Sequence, residues 1–112
     1  MLTEETICPA FGWIAWQDGT PVGFILARHL VNQTELLTFA VLPSHQRQGL
    51  GQKLVEQLIR TCQKPIFLEV SVDNQPALHL YQQQGFTIIG KREKYYDDQP
   101  GKQGDAYVME FR

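Results

Sequence analysis

The hydrophobic period of this chain first changes at Pro43, and few folds accommodate the pattern on its two sides. Before Pro43, three segments have strand character: 11–17 (FGWIAWQ), 21–31 (PVGFILARHLV) and 36–42 (LLTFAVL). Asp18-Gly19 and Asn32-Gln33-Thr34-Glu35 separate them as turn signals, so this part is an antiparallel meander. After Pro43, Leu50, Leu54, Val55, Leu58 and Ile59 recur at helical spacing. Gln52, Lys53, Glu56, Gln57 and Arg60 lie between them, which predicts an amphipathic helix over about 49–62. Residues 66–72 form the next strand. Asp73-Asn74 can cap a short helix carrying Ala77, Leu78, Leu80 and Tyr81, with Pro76 in its first turn and Gly85 at its left-handed end. Residues 86–95 and 106–112 close the chain as two strands. A strand–helix–strand passage requires a parallel pair. The expected class is therefore α/β (mixed α+β): a mostly antiparallel sheet with helices on its faces.

Composition narrows the function classes. The 112 residues fit one domain, 1–112, with one core. A net charge of −2 argues against a nucleic-acid partner. No apolar run is long enough to span a bilayer, so no membrane partner is expected. Met1-Leu2-Thr3-Glu4-Glu5 is acidic where a secretory leader is basic. A cytoplasmic protein is expected, with Cys8 and Cys62 as free thiols. His29, His45 and His79 are scattered without ligand spacing, so no metal is expected.

Gln46-Arg47-Gln48-Gly49-Leu50-Gly51 follows a strand and opens a helix. Glycines there let backbone N–H groups turn toward an anion, and the helix N-terminus and Arg47 add positive charge. A pyrophosphate suits such a nest; a plain glycine-capped turn is the alternative. The lysine and hydroxyl of a nucleotide P-loop are absent after Gly51, and Leu54 stands where a dinucleotide fingerprint has its third glycine.

The segment resembles the Q/R-x-x-G-x-G/A motif of the GNAT superfamily of N-acetyltransferases. LEVSVDNQPALHLYQQQGF (68–86) is similar to the second half of that fold. KREKYYDDQPGKQGDAYVMEF (91–111) resembles its RimI-type branch, which acetylates the N-terminal alanine of a ribosomal protein; the shared pieces are Tyr95-Tyr96, Gly101, Asp105-Ala106 and Met109. The resemblance covers about residues 11–111. It implies acetyl-CoA as co-substrate, with Arg47, Gln48, Gly49, Leu50, Gly51 and Gln52 around the pyrophosphate. It further implies that Phe39, Ala40 and Val41 pair with pantetheine through their backbone, the Val41 N–H facing the thioester oxygen, and that Asn74 bonds the same arm. Ordinary sheet pairing and helix capping are the alternatives for these residues. Family members begin with a strand and two helices, whereas ten residues precede the strand at 11–17. The N-terminal strand and helices are expected to be largely missing, and the sheet face they would cover to be taken by a partner chain, as a homodimer.

Glu69 interrupts the apolar run Ile66-Phe67-Leu68-Glu69-Val70. Its alternatives are a solvent-facing strand position and, as the resemblance implies, a catalytic base whose pKa burial would raise. Tyr81 is either a buried aromatic or, by the same resemblance, the acid that protonates the leaving thiolate. Reference pKa values leave a glutamate about 5 kcal/mol uphill of an α-amine and about 8 kcal/mol uphill of a lysine. An N-terminal α-amine is therefore the favoured acceptor. Asp97 and Asp98 either attract a cationic acceptor or are simply solvated. Two further functions stay open: an acetyltransferase for a small amine or a lysine, and a non-catalytic acyl-CoA-binding module.

Overall fold

The structure is a computed structural model and describes residues 1–7, 9–93 and 104–112. Cys8 and the residues at 95–98 and 101 named above lie outside the described residues. The elements are β1 (Leu2–Ile7), β2 (Ala10–Gln17), β3 (Thr20–Leu30), β4 (Gln33–Val41), a 3-10 turn at Pro43–His45, α1 (Leu50–Thr61), β5 (Ile66–Ser71), α2 (Gln75–Gln84), β6 (Thr87–Arg92) and β7 (Ala106–Phe111). The strands form one sheet in the order β1-β2-β3-β4-β5-β7-β6. All pairings are antiparallel except β4–β5.

Two local differences from expectation have clear causes. The N-terminal strand is present: β1 pairs with β2 from Leu2↔Ala15 to Ile7↔Ala10. The second turn is tighter than expected. Leu30 pairs with Gln33, and Val31-Asn32 makes the two-residue loop with Asn32 left-handed at φ 59°. Thr34 and Glu35 are drawn into β4 instead. The buried Thr34 hydroxyl donates to the Gln63 carbonyl at 2.7 Å and its N–H to the Pro65 carbonyl at 3.0 Å. Glu35 accepts from Arg28 at 2.9 Å.

The chain crosses from β4 to β5 through α1, and from β5 over β7 to β6 through α2. Both crossovers join parallel strands and run in the same direction across the sheet, so the right-handed rule puts both helices on one face. The core lies there. Leu54, Val55 and Leu58 of α1 and Leu78 and Tyr81 of α2 pack with Trp13, Ala15, Val22, Ile25, Ile66, Leu68, Phe86 and Met109. Strand alternation sends Phe24, Phe67 and Glu69 to the other face, which carries neither helix. Phe24 is 40% exposed there.

Cys62 follows α1 as a free, buried thiol. Burial pushes it up from 9.0 to about 11, with Lys64 pulling the other way and Glu4 adding to the rise. The unfolded chain releases this proton near pH 9.0 and the folded chain holds it to about 11. Unfolded molecules then bind fewer protons, so stability falls as pH rises through that window. The expected loss is on the order of 2 kcal/mol. Urea unfolding across this range should show the fall in the parent chain, with a shallower slope in Cys62→Ala. Equal slopes would refute the assignment.

Candidate active site

The sheet splits in its middle. β4 and β5 pair only at Thr34↔Ile66 and Glu35↔Phe67, and then diverge. The cause lies on the opposite edge of β4. Leu26 pairs with Thr38 and Ala27 with Leu36, so Leu37 is an extra residue in the ladder. A bulge of this kind bends its strand.

Beyond the fork, β4 has one edge without a strand partner. The Leu42 N–H donates to the Val22 carbonyl at 2.9 Å. Antiparallel pairs bond at every second residue, so Ala40 and Thr38 turn their N–H and C=O groups to β3. Phe39 and Val41 turn theirs away from β3, into the gap. From that side the Gln46 side-chain amide donates to the Val41 carbonyl at 3.0 Å, bracing the loop against the strand end. The Phe39 amide and carbonyl and the Val41 N–H face the opening.

The loop has the left-handed backbone that an anion-binding turn uses. Arg47 and Gly49 are left-handed, at φ 66° and 78°. For Arg47 this conformation costs about 1–2 kcal/mol. Gly49 is the N-cap of α1, and no side chain bonds the helix start. The N–H groups of Leu50, Gly51 and Gln52 precede the first helical bond, in which the Lys53 N–H donates to the Gly49 carbonyl at 3.1 Å. Gly51 serves a different need from Gly49. A Cβ there would lie 3.2 Å from a Phe39 ring carbon, so glycine lets α1 sit close against β4.

These parts line one open cleft of about 920 Å³. Of the residues expected at the site, Phe39, Ala40, Val41, Arg47, Gly49, Leu50, Gly51, Gln52, Asn74, Glu69 and Tyr81 all line it. Gln48 does not; it is exposed. Asn74 caps α2 by accepting from the Ala77 N–H at 3.3 Å, and it also borders the cleft. Both readings of Asn74 are thus compatible.

Glu69 and Tyr81 reach the cleft from opposite faces of the sheet. Tyr81 projects from α2 on the helical face, its ring packed edge-on against Phe39 and Phe86, with 5% of the residue exposed. Burial pushes its phenol well above the ordinary tyrosine value, so it is protonated at neutral pH. The expected burial of Glu69 is not found. Alternation within Ile66–Ser71 places it on the helix-free face, with its side chain 36% exposed. Water therefore reaches its carboxylate. Its described partner is Arg92 on β6, whose Nε lies 3.3 Å from Oε1. Sequence reasoning missed Arg92, because the contact depends on the order β5-β7-β6. No group of three or more metal-ligating side chains occurs among the described residues, and no described helix is long and apolar enough to cross a membrane.

A forked sheet, a glycine turn at a helix start, and a glutamate and a tyrosine that line the same cleft from its two faces make up the site. Residues 2–86 match the family model described as acetyltransferase (GNAT) family, and the chain belongs to that family. It is 35% identical over 97 residues to the ribosomal protein bS18-alanine N-acetyltransferase of Escherichia coli, a match covering 83% of this chain and 65% of the relative. It is 35% identical over 100 residues to the N-alpha-acetyltransferase RimI of Mycobacterium tuberculosis, covering 85% and 61% respectively. The crystal structure of the Escherichia coli ribosomal-protein-S18-alanine N-acetyltransferase superposes with a TM-score of 0.75 at 31% identity, over 90% of this chain and 66% of that one. The chain thus spans about two thirds of the length of the relatives it matches.

Proposed function

We propose that the chain transfers the acetyl group of acetyl-CoA to a protein N-terminal α-amine, with Glu69 as base and Tyr81 as acid. The observation that carries this reading is the fork between β4 and β5, where the nest, the open edge of β4, Glu69 and Tyr81 line one cleft. The nest and Arg47 suit the pyrophosphate. The Phe39 amide and carbonyl match the alternating donors and acceptors of pantetheine, and the Val41 N–H is free to meet the thioester oxygen.

The amine enters from the helix-free side and passes its proton to Glu69, directly or through water. Its nitrogen bonds to the thioester carbon, and the negative charge on oxygen is met by the Val41 N–H. The C–S bond then breaks as the nitrogen gives its remaining surplus proton to solvent and becomes the amide; the thiolate takes its proton from Tyr81, which recovers one from solvent, and Glu69 returns its own proton to solvent. The raised phenol makes that last transfer steeper than the roughly 2 kcal/mol separating an ordinary tyrosine from an ordinary thiol. A thiolate leaving into the same desolvated space is raised as well, which offsets part of the difference.

Release of free thiol from acetyl-CoA tests the reading. The acceptor panel is peptides beginning with Ala, Ser or Met, polyamines, and lysine peptides with a blocked N-terminus. Turnover of the free-N-terminus peptides supports it, most of all if Tyr81→Phe slows release. Turnover confined to polyamines or lysines assigns a different acceptor, and binding of acetyl-CoA with no turnover leaves a binding module. A chain that does not bind acetyl-CoA would overturn it. We also infer that a second copy covers the helix-free face around Phe24; a monomer at micromolar concentration in sedimentation would refute this.

A further inference from the structure

Arg92 is the last residue of β6, an edge strand exposed along its whole length. It pairs across β7 through Ala106, which in turn pairs with Ser71 of β5. Residues directly opposite one another share a face, so Arg92 stands on the same helix-free face as Glu69. Its side chain reaches across β7 to bring Nε within 3.3 Å of the carboxylate.

This contact has the features of a temporary one. It is a charge contact at 3.3 Å and not one of the aligned side-chain hydrogen bonds that hold Glu35 or Glu110. The Arg92 side chain is 61% exposed and that of Glu69 36%, so the guanidinium can swing into water without leaving a buried charge behind. Exposed pairs of this kind contribute little to stability. Yet the carboxylate it covers is the group that lines the cleft.

We propose that Arg92 holds the place of the acceptor's ammonium on Glu69, and that the acceptor binds by exchange: its ammonium displaces the guanidinium, which moves to solvent. The inference rests on the assignment of Glu69 as the acceptor-side base. Arg92 acts through Glu69 and touches neither reacting atom. Its presence selects for acceptors that arrive as cations, because a neutral group cannot replace the charge it displaces. It also weakens acceptor binding by the strength of the pair it replaces, about two- to fivefold for a pair this exposed.

Calorimetric titration of a short Ala-leading peptide into the CoA-saturated protein tests this without requiring turnover. Arg92→Gln is expected to tighten binding two- to fivefold, Arg92→Lys to leave it near the parent value, and the N-acetylated peptide to be indifferent to both. Arg92→Ala serves as a second truncation, and the melting temperature of each variant confirms the fold. Unchanged, weaker or undetectable binding of the free-amine peptide to folded Arg92→Gln would overturn the proposal, as would equal tightening of the N-acetylated peptide. Tightening without thiol release would leave the exchange standing and remove the catalytic assignment. Thiol release with unchanged affinities would do the reverse.

Discussion

Glu69→Gln is expected to lower kcat by about a hundredfold or more at neutral pH while leaving acetyl-CoA affinity within about twofold. The size follows from the usual contribution of a positioned general base. Glutamine keeps the shape of the side chain at its place on β5 and removes both the negative charge and the ability to take a proton. The side of the cleft proposed to hold acetyl-CoA, lined by β4, the Arg47–Gly51 turn and Asn74, is untouched by the change. The effect should shrink as pH rises past about 8, because an α-amine then sheds its proton unaided. A variant whose kcat stays within about threefold of the parent would remove Glu69 from the reaction. A deficit that does not shrink with pH would give it a role other than proton removal.

Gly12→Ala carries the largest expected effect on stability, about 3 kcal/mol or more. Gly12 is buried in β2 opposite Leu26 of β3. A methyl group there would run into the Ile25 carbonyl oxygen, which is backbone and cannot rotate away. Either the two strands separate or β2 shifts, and both disturb the ladder beneath Trp13 and Ile25. Overpacking of ordinary cores costs about 1–3 kcal/mol, and a rigid obstacle sets this site at the upper end or beyond. Gly90→Ala is the internal control. It lies on exposed β6 with open space where its Cβ would stand, so it should change stability by no more than about 0.5 kcal/mol. Urea unfolding of the two variants side by side decides the matter. A Gly12→Ala midpoint close to that of Gly90→Ala would show that β2 and β3 yield more easily than this geometry allows.

Local chemistry was legible in the sequence where it is written in adjacent residues. The spacing of Leu50, Leu54, Val55 and Leu58 predicts α1 to within a residue at each end. Asn74 caps α2 and Gly85 ends it at φ 109°, as their residue types suggest. Asp18-Gly19 turns between Gln17 and Thr20 with both residues left-handed. β1 was not legible, because Thr3, Glu4, Glu5 and Thr6 carry no apolar alternation. The strand is held by its ladder with β2 and by the Trp16 indole N–H, which donates to the Thr3 hydroxyl at 2.8 Å. The candidate site divides in the same way. The nest is a run of neighbours and could be read directly. The gap that makes it useful depends on one extra residue, Leu37, against the β3 register, and no property of Leu37 alone announces a bulge. The exposure of Glu69 follows from strand alternation, which the sequence did offer as an alternative. Arg92 lies far from Glu69 in the chain and meets it only because β7, the last strand made, inserts between β5 and β6.

The fork in the sheet has a consequence for the order of events. Glu69 and Tyr81 line one opening from its two sides, so in the proposed reaction the two reactants approach the fork from opposite faces of the sheet. Neither blocks the path of the other, and neither product has to leave before the next reactant arrives. Reciprocal plots of rate against one reactant, taken at several fixed levels of the other, should therefore give lines that intersect, as direct transfer within a three-component complex requires. Parallel lines would mean that the acetyl group waits on the protein between two visits, and the cleft would then need a nucleophile in place of an acid–base pair.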